Sequence, residues 1–237
     1  MEGSSCEHLA FLIDTISTHP ALQAPLTKYR HFHRPKRRRV LYPSLLFYFI
    51  VTLHNSHYFA CEGTPLIGSL TPWEFLNQWV SRLNHLLKGA ESHIEEGANI
   101  SPRANLFPPY YFSAGCRVSA GATIRGGVYL GPGAVVGHCS EVKASLLLEG
   151  ARAPHFNYVG DSLLGRYVNL GAGVICSNLR LDGKEIIVKL QGKQYATGRR
   201  KLGAIIGDRC QLGCHLTLNP GTLLTPGETR LPPPPFS

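Results

Sequence analysis

The sequence predicts an all-β protein, a single-stranded parallel β-helix preceded by a capping helix and interrupted by an extruded hairpin. The main observation is a period of six, because an aliphatic or aromatic residue recurs at every sixth position while Gly, Ala, Pro and Ser crowd the places between. This period matches neither a helix nor a plain alternating strand. It fits a triangular coil with one hexapeptide per face, whose sixth side chain points to the axis. The recurring residues are Ile94, Ile100, Leu106, Phe112, Val118, Ile124, Leu130, Val136, Val142 and Leu148.

A helix is predicted just before the first coil. Thr71 can accept a hydrogen bond from an amide of the first turn, and Glu74 can bond back to the cap. Pro72 stands where no amide donor is needed, and Gly89 suits the end of the helix. Apolar residues at helical spacing give the helix one apolar side, which we expect to cover the open end of the prism. These residues are Trp73, Leu76, Trp79, Val80, Leu83, Leu86 and Leu87.

The period of six is broken at two places. Pro154 stands where an inward apolar residue is due. The second break spans about residues 180–203 and predicts the hairpin, with arms at 185–190 and 194–197. Insertions in solenoid proteins project from one face, which is often the binding face, so we expect the functional site near these breaks. The inward residues after the first break are Val159, Leu164, Leu170 and Cys176, and those after the second are Ile206, Leu212, Leu218 and Leu224.

Residues 40–53 are apolar, but they are interrupted by Pro43 and are shorter than the roughly 20 residues that a membrane span needs. We therefore expect no membrane contact there. The predicted organisation has four parts: an N-terminal appendage at 1–62 whose place in the working protein is left open, a capping-helix segment at 63–93, a β-helix transferase domain at 94–229 and a Pro-rich tail at 230–237.

The net charge of +9 is concentrated in two clusters, at residues 28–39 and 180–203. Nothing beside the first cluster resembles a nucleic-acid-binding fold, so no nucleic-acid partner is predicted. The seven cysteines show no CxxC pair and no spacing typical of a disulfide framework. A reducing cytoplasm is the simplest compartment for such a chain.

Three stretches near the first break carry groups suited to acyl transfer: APHFNYVGD from Ala153, YVNLGAG from Tyr167, and CSN from Cys176. The neutral imidazole of His155 can accept a proton from an amine that attacks a thioester carbonyl. The small residues of 171–173 let a ligand approach the backbone and expose amide donors. Asparagine side chains can orient hydroxyl or amide groups of a ligand, and cationic side chains bind phosphate.

The stretches HFNYVGD, LGRYVNLGAG, CSNLRLDG and IIGD, in this order, resemble the left-handed β-helix acetyltransferase domain of bacterial bifunctional glucosamine-1-phosphate acetyltransferase/UDP-N-acetylglucosamine pyrophosphorylase. The likeness covers about residues 94–229 and is sharpest over 141–208. The run NLGAGV…C.NLRLD.KEI is even more similar to the stand-alone hexapeptide transferases of chlamydia-like bacteria. The resemblance implies a hexapeptide-repeat acyltransferase with a left-handed helix, acetyl-CoA or another acyl-CoA as co-substrate, and no metal in the chemistry. It also implies a homotrimer with active sites between neighbouring prisms.

The resemblance implies a role for each matching position. His155 falls on the family's catalytic base. Leu179 replaces the family's Tyr after Asn, and Cys214 replaces the Ser of its coenzyme motif, so the acceptor is less defined than the acyl donor. The substrate-binding positions are Arg125, Lys143, Tyr158, Asn169 and Asn178, and the cofactor-binding positions are Ala172, Lys201 and Cys214.

Several of these residues have structural alternatives. Arg125 and Lys143 can be solvated residues at repeat corners, and Asn169 can support a corner through its own hydrogen bonds. A γ-type carbonic anhydrase, which has this same fold, needs three imidazoles for zinc, two of them close in sequence. The candidate imidazoles lack such a pair; they are His138, His155 and His215.

The prediction is an acyltransferase, most simply an N-acetyltransferase, which acylates an amino sugar phosphate or a nucleotide sugar. The chain has no Gly-rich nucleotide loop, so no nucleotidyltransferase domain is predicted. A second hypothesis is a non-catalytic β-helix that trimerises or regulates a separate sugar nucleotidyltransferase. A third is O-acyl transfer, or transfer from an acyl carrier protein as in lipid A-type synthesis.

Overall fold

The computed structural model describes residues 71–190 and 192–232. The predictions for residues 1–62, for the first part of the capping segment and for the last five residues of the tail lie outside this part of the chain. Helix α1 spans Pro72–Leu86, and 22 strands follow it within the described residues. No helix in residues 71–190 or 192–232 has the length and apolar character needed to cross a membrane.

Three parallel sheets form the body of the described chain. Sheet A contains β1 (Ser92–Ile94), β4 (Tyr110–Phe112), β7 (Val128–Leu130), β10 (Leu146–Leu147), β13 (Leu163–Leu164), β18 (Ile205–Ile206) and β21 (Leu223–Leu224). Sheet B contains β2 (Asn99–Ile100), β5 (Arg117–Val118), β8 (Val135–His138), β11 (Arg152–His155), β14 (Asn169–Leu170), β19 (Gln211–Leu212) and β22 (Thr229–Arg230). Sheet C contains β3 (Asn105–Phe107), β6 (Thr123–Arg125), β9 (Glu141–Lys143), β12 (Tyr158–Gly160), β15 (Ile175–Cys176) and β20 (Thr217–Leu218).

The chain visits sheets A, B and C in turn, so each strand pairs with a strand one coil away. Every ladder in the three sheets is parallel, as a coiled chain requires. The predicted class, a left-handed parallel β-helix of hexapeptide coils, is confirmed. The strands β16 (Ile187–Leu190) and β17 (Lys193–Ala196) form a separate antiparallel pair, which is the predicted hairpin.

The inward column, which is the set of side chains that point to the axis of the prism, differs from the prediction in one coil. Leu147 pairs with Leu130 of the preceding coil, and Ala153 pairs with Val136. Leu147 and Ala153 are the residues buried in the prism core there, so the predicted inward positions Leu148 and Pro154 are wrong by one residue. The slip therefore occurs before Pro154, at the corner between sheets C and A.

That corner is one residue shorter than the period in two successive coils. Ala144 and Asp161 turn the chain there in the left-handed conformation, with φ of 45° and 47°. The buried Ser145 hydroxyl donates to the Lys143 carbonyl at 2.7 Å and accepts from the Ser162 amide at 2.9 Å. These side-chain hydrogen bonds satisfy backbone groups that the shortened corner takes out of the regular ladder.

Helix α1 begins as predicted but lies in another place. Both hydrogen bonds of the predicted capping box are present between Thr71 and Glu74. The apolar side of the helix packs on the outer face of sheet A and not over the open end of the prism, and the Trp79 indole donates to the Gly127 carbonyl at 2.7 Å. The reason is that sheet A also carries apolar residues on its outer face, which need cover. These are Tyr111, Tyr129, Leu146, Leu163 and Ile205.

The hairpin leaves the prism at the same corner between sheets C and A. Ile186 and Val188 are buried in the cluster on the outer face of sheet A. The Tyr195 ring lies 5.6 Å from the Trp73 ring of helix α1, measured between centroids. The hairpin and the helix therefore cover sheet A together.

The variant Leu164→Ala tests the inward column. The Leu164 side chain is fully buried in the prism, so its truncation is expected to lower the free energy of unfolding by about 2–5 kcal/mol. Leu181→Ala is the matched control, because that leucine is fully exposed and its loss should change stability little. Urea unfolding measures both variants, and equal midpoints would contradict the assignment of Leu164 to the core.

Candidate functional site

The predicted substrate-binding residues fall mainly on sheet C. Arg125, Lys143 and Tyr158 lie on the neighbouring strands β6, β9 and β12, and Asn178 follows β15 of the same sheet. Asn169 lies on β14 in sheet B, between Arg152 and Gln211 of the adjacent coils. The structure therefore brings four of the five residues to one face and separates Asn169 from them.

The register places cations and acids side by side on sheet C. Arg125 pairs with Lys143, and Lys143 pairs with Gly160. Glu141 pairs with Tyr158, and the Arg125 guanidinium donates to the Glu141 carboxylate at 2.6 Å. That hydrogen bond is the largest cause that raises the pKa of Arg125. Because successive strand residues alternate between faces, these side chains point outward while Val142 and its equivalents fill the core.

Gly160 has no side chain, and the gap that this leaves in the outer face is filled by the ends of the Tyr158 and Asn178 side chains. A Cβ at that position would lie 2.7 Å from both the Tyr158 hydroxyl and the Asn178 amide nitrogen. Burial raises the pKa of Tyr158, and the charges of Glu141 and Asp161 add to the rise. The phenol therefore stays protonated at neutral pH and can donate a hydrogen bond to a ligand bound over this face.

Asp161 connects the cations and amides around this gap, although no sequence motif pointed to it. Its carboxylate is buried and accepts a hydrogen bond from the Asn178 amide at 2.6 Å. The Lys143 ammonium lies 3.6 Å from one carboxylate oxygen, and the Arg199 guanidinium donates to the other at 3.2 Å. Asp161 thus fixes the positions of two predicted substrate-binding side chains and joins them to the hairpin.

Arg199 is a second residue of this site to which no sequence motif pointed. Its guanidinium also donates to the Asn77 side chain of helix α1 at 3.2 Å and to the Lys201 carbonyl at 2.7 Å. Burial lowers the pKa of Arg199, and the negative charge of Asp161 opposes that effect. Because an arginine remains protonated even so, it supplies a permanent positive charge between helix, hairpin and prism.

A cleft of about 310 Å³ opens between helix α1 and the base of the hairpin. Lys201, a predicted cofactor-binding residue, lines this cleft and pairs across the hairpin base with Leu179. The helix contributes apolar side chains and the hairpin contributes basic ones. The lining residues are Leu76, Asn77, Trp79, Val80, Ala144, Asp161, Arg199, Arg200 and Lys201.

The remaining predicted residues stack along the corner between sheets B and C. His155 ends β11 there, and Ala172 and Cys214 occupy the equivalent places in the two following coils. Gly173 donates its amide to the His155 carbonyl at 3.0 Å, and His215 donates its amide to the Ala172 carbonyl at 2.8 Å. The corner therefore holds the candidate base and two candidate coenzyme positions in one line.

The backbone around His155 is held by Asn157. The Asn157 side chain is buried, accepts from the His155 amide at 3.0 Å and donates to the Gly171 carbonyl at 2.7 Å. The imidazole of His155 is exposed beyond this fixed corner. An exposed ring on a rigid support can meet a reactant from solvent without a change of fold.

The predicted amide donors of residues 171–173 are in part already used. The Gly171 amide donates to the Leu212 carbonyl at 2.7 Å, and the Gly173 amide donates to the His155 carbonyl. These two amides belong to the ladder between coils, so the expectation that they are open to a ligand is wrong. The coil geometry explains this, because a regular corner returns each amide to its neighbour.

No group of three or more His, Cys, Asp or Glu side chains is arranged to hold a metal ion in the part of the chain that the structure describes. The five cysteines there are free thiols, of which Cys139 and Cys214 are exposed.

No protein-family model matches the chain. It is 48% identical over 86 residues to the bifunctional sugar-1-phosphate nucleotidylyltransferase/acetyltransferase of Sulfurisphaera tokodaii. These residues are 36% of this chain and 21% of that protein. It is 36% identical over 162 residues to the bifunctional protein GlmU of Methanococcus maripaludis, covering 63% of this chain and 39% of that protein. The GlmU protein of Methanocaldococcus jannaschii is 35% identical over 162 residues, covering 63% of this chain and 40% of that protein.

Among solved structures, the chain is similar to a hexapeptide transferase family protein from Anaplasma phagocytophilum. The TM-score is 0.46 at 15% identity, and the match covers 62% of this chain and 76% of that one. The acetyltransferase domain of PglB from Neisseria gonorrhoeae in complex with acetyl coenzyme A gives a TM-score of 0.27 at 16% identity, with 76% and 82% covered.

The chain spans between 21% and 40% of the length of these curated relatives. The resemblance to the bifunctional sugar-1-phosphate nucleotidyltransferase/acetyltransferases, predicted from the sequence motifs, is confirmed by this similarity.

Proposed function

We propose that the chain is an acyltransferase that moves the acyl group of acetyl-CoA, or of another acyl-CoA, to an amino sugar phosphate or a nucleotide sugar. Similarity to proteins named as acetyltransferases supports the acyl-transfer reaction. The proposed protein is a homotrimer in a reducing cytoplasm. The free thiols of the described residues agree with that compartment.

One observation carries the proposal. The exposed imidazole of His155 stands at the corner that leads directly into β12, and the outer face of β12 carries Tyr158 beside the gap at Gly160. Arg125 and Lys143 follow on the adjoining strands. A proton acceptor at the corner before sheet C, two hydrogen-bonding side chains and two cations on the outer face of that sheet thus supply the groups proposed to bind and deprotonate an amino sugar phosphate.

In the proposed reaction, His155 accepts a proton from the acceptor's amine as the amine nitrogen attacks the thioester carbonyl. The new carbon–nitrogen bond forms, the carbon–sulfur bond breaks, and the coenzyme leaves as a thiol after it takes up the proton. Lys143 and Arg125 bind the acceptor's phosphate. The Tyr158 hydroxyl and the Asn178 side-chain oxygen bind sugar hydroxyls at the gap.

The proposed coenzyme position follows the corner between sheets B and C, past Ala172 and Cys214. Lys201 leaves the prism at the other edge of sheet C, where the hairpin packs toward sheet A. One prism therefore keeps Lys201 apart from its own Cys214. This separation supports a trimer in which the basic hairpin of one subunit reaches the His155 corner of its neighbour. Asn169, on sheet B, has its proposed role at such an interface.

The second candidate function is a non-catalytic module that trimerises or regulates a separate sugar nucleotidyltransferase. Leu179 favours it, because this leucine is 45% exposed at the position where the resembling family has a tyrosine. An exposed apolar side chain beside the site suits a protein contact better than a polar sugar.

His155→Ala is expected to lower the rate of thiol release from acetyl-CoA roughly 100-fold or more, because a general base is lost. The assay supplies a panel of amino sugar phosphates and nucleotide sugars as acceptors. His215→Ala is the matched control, since His215 is also an exposed corner histidine, two coils further on. Unchanged release in His155→Ala would contradict the assigned base. The absence of release with every acceptor and every acyl-CoA would favour the non-catalytic module.

Gly160→Ala is expected to raise the KM for the acceptor roughly tenfold, because the new Cβ must displace the Tyr158 hydroxyl and the Asn178 amide. The fold should survive, since both contacts are ends of side chains and not backbone. Tyr158→Phe is the companion variant, which removes the hydroxyl without displacing the ring or the Asn178 side chain. Steady-state kinetics with varied acceptor measure both. A Gly160→Ala protein with the parent KM would show that the acceptor does not bind the Tyr158 and Asn178 side chains over Gly160.

A further inference from the structure

A second pair of reactive groups lies one coil before His155. The Cys139 thiol lies 3.3 Å from the Nε2 atom of His138, and the Nδ1 atom of His138 lies 3.0 Å from the Ala120 carbonyl oxygen. Both side chains are exposed. Neither residue is among those assigned to the proposed substrates.

The hydrogen bonds define the state of the imidazole. A carbonyl oxygen can only accept, so the Nδ1 atom of His138 carries the proton and donates to Ala120. In the neutral ring, Nε2 is then an acceptor, and the Cys139 thiol is its donor. A nucleophile, a base and a group that orients the base therefore stand in sequence, as they do in activated cysteine sites.

The surroundings leave the sulfur accessible. Gly121 lies at the equivalent corner one coil earlier. A Cβ at Gly121 would lie 3.1 Å from the Cys139 sulfur, so the absence of a side chain there leaves that side of the sulfur open. The Phe156 ring meets the His138 ring edge-on, with centroids 5.7 Å apart. His138 also pairs in register with His155. The thiol thus lies on the same corner as the proposed base, beside an apolar ring.

We propose that Cys139 is a nucleophilic thiol that is acylated by thioesters. The sulfur attacks the acyl carbonyl while His138 takes the thiol proton. The bond between the acyl carbon and the donor sulfur breaks, and the donor leaves as a thiol with the proton from His138. The product is an S-acyl Cys139, and no oxidant or reductant is consumed. The inference rests on the proposed function only for the supply of an acyl thioester near this corner.

Cys214 provides an internal comparison. It is exposed at the same edge of the prism and is followed by His215. Among the residues that the structure describes, no hydrogen bond joins these two side chains. Exposure is therefore shared by the two cysteines, while contact with an oriented imidazole is found at Cys139.

The test incubates the full chain with a small thioester, S-acetyl-N-acetylcysteamine, and follows acetylation of each cysteine by peptide mass spectrometry. Cys139 is expected to react roughly tenfold faster than Cys214, because a positioned base assists it. His138→Asn, which keeps a polar side chain but removes the base, should reduce the Cys139 rate to that of Cys214. Equal rates in the parent protein, or a Cys139 rate unchanged by His138→Asn, would overturn the proposal.

Two further arms keep this inference separate from the proposed transferase activity. Iodoacetamide reacts with thiols and needs no coenzyme site. It should also label Cys139 faster than Cys214 in the parent protein, and this measurement does not depend on the folding of any variant. Acetylation of Cys139 in His155→Ala should proceed at the parent rate. Acetylation of Cys139 in a chain that acylates no sugar would support the thiol site and contradict the transferase. Acylation of a sugar without preferential acetylation of Cys139 would support the transferase and contradict the thiol site.

Discussion

At the corner between sheets C and A, the coil must turn with one residue fewer than its period in two successive coils. Ser145 and Ser162 make this possible, because their hydroxyls replace ladder hydrogen bonds: Ser162 donates to the Gly160 carbonyl at 2.7 Å and accepts from the Ala204 amide at 3.0 Å. The tight turn places Asp161 in the left-handed conformation with its carboxylate buried. The positions of Lys143 and Arg199, which contact Asp161, and the attachment of the hairpin all depend on this corner.

The buried carboxylate in turn determines where the hairpin sits. A buried charge without a partner is costly, so Asp161 requires cations, and it has Lys143 from the prism and Arg199 from the hairpin. Arg199 loses hydration in the same place, which lowers its pKa. Such a pair adds little net stability, but removal of either partner exposes the other to the full desolvation cost. The pair therefore fixes geometry more than it strengthens the fold.

The sequence predicts the prism well because inward residues recur without a miss up to Val142. It fails at Leu146–Leu148, where three consecutive leucines allow either register and only the paired coils decide between them. The first apolar residue of each strand pair on sheet A, such as Leu163 or Ile205, faces outward and signals an apolar outer face, which explains the position of helix α1. Contacts such as that between Asp161 and Arg199 join residues far apart in sequence, and no local pattern predicts them.

The two edges of sheet C divide the chemical groups of the site between them. A strand of three residues such as β12 is roughly 10 Å long, so the His155 corner and the Asp161 corner stand about one sugar phosphate apart. An acceptor lying along β12 can reach both edges. Lys201 stands apart from the proposed coenzyme corner of the same chain, because the hairpin turns from sheet C toward sheet A and packs there through Ile186. This geometry agrees with the proposed trimer, in which the prism supplies the base and the acceptor surface and a neighbouring hairpin supplies cations for the coenzyme's phosphates.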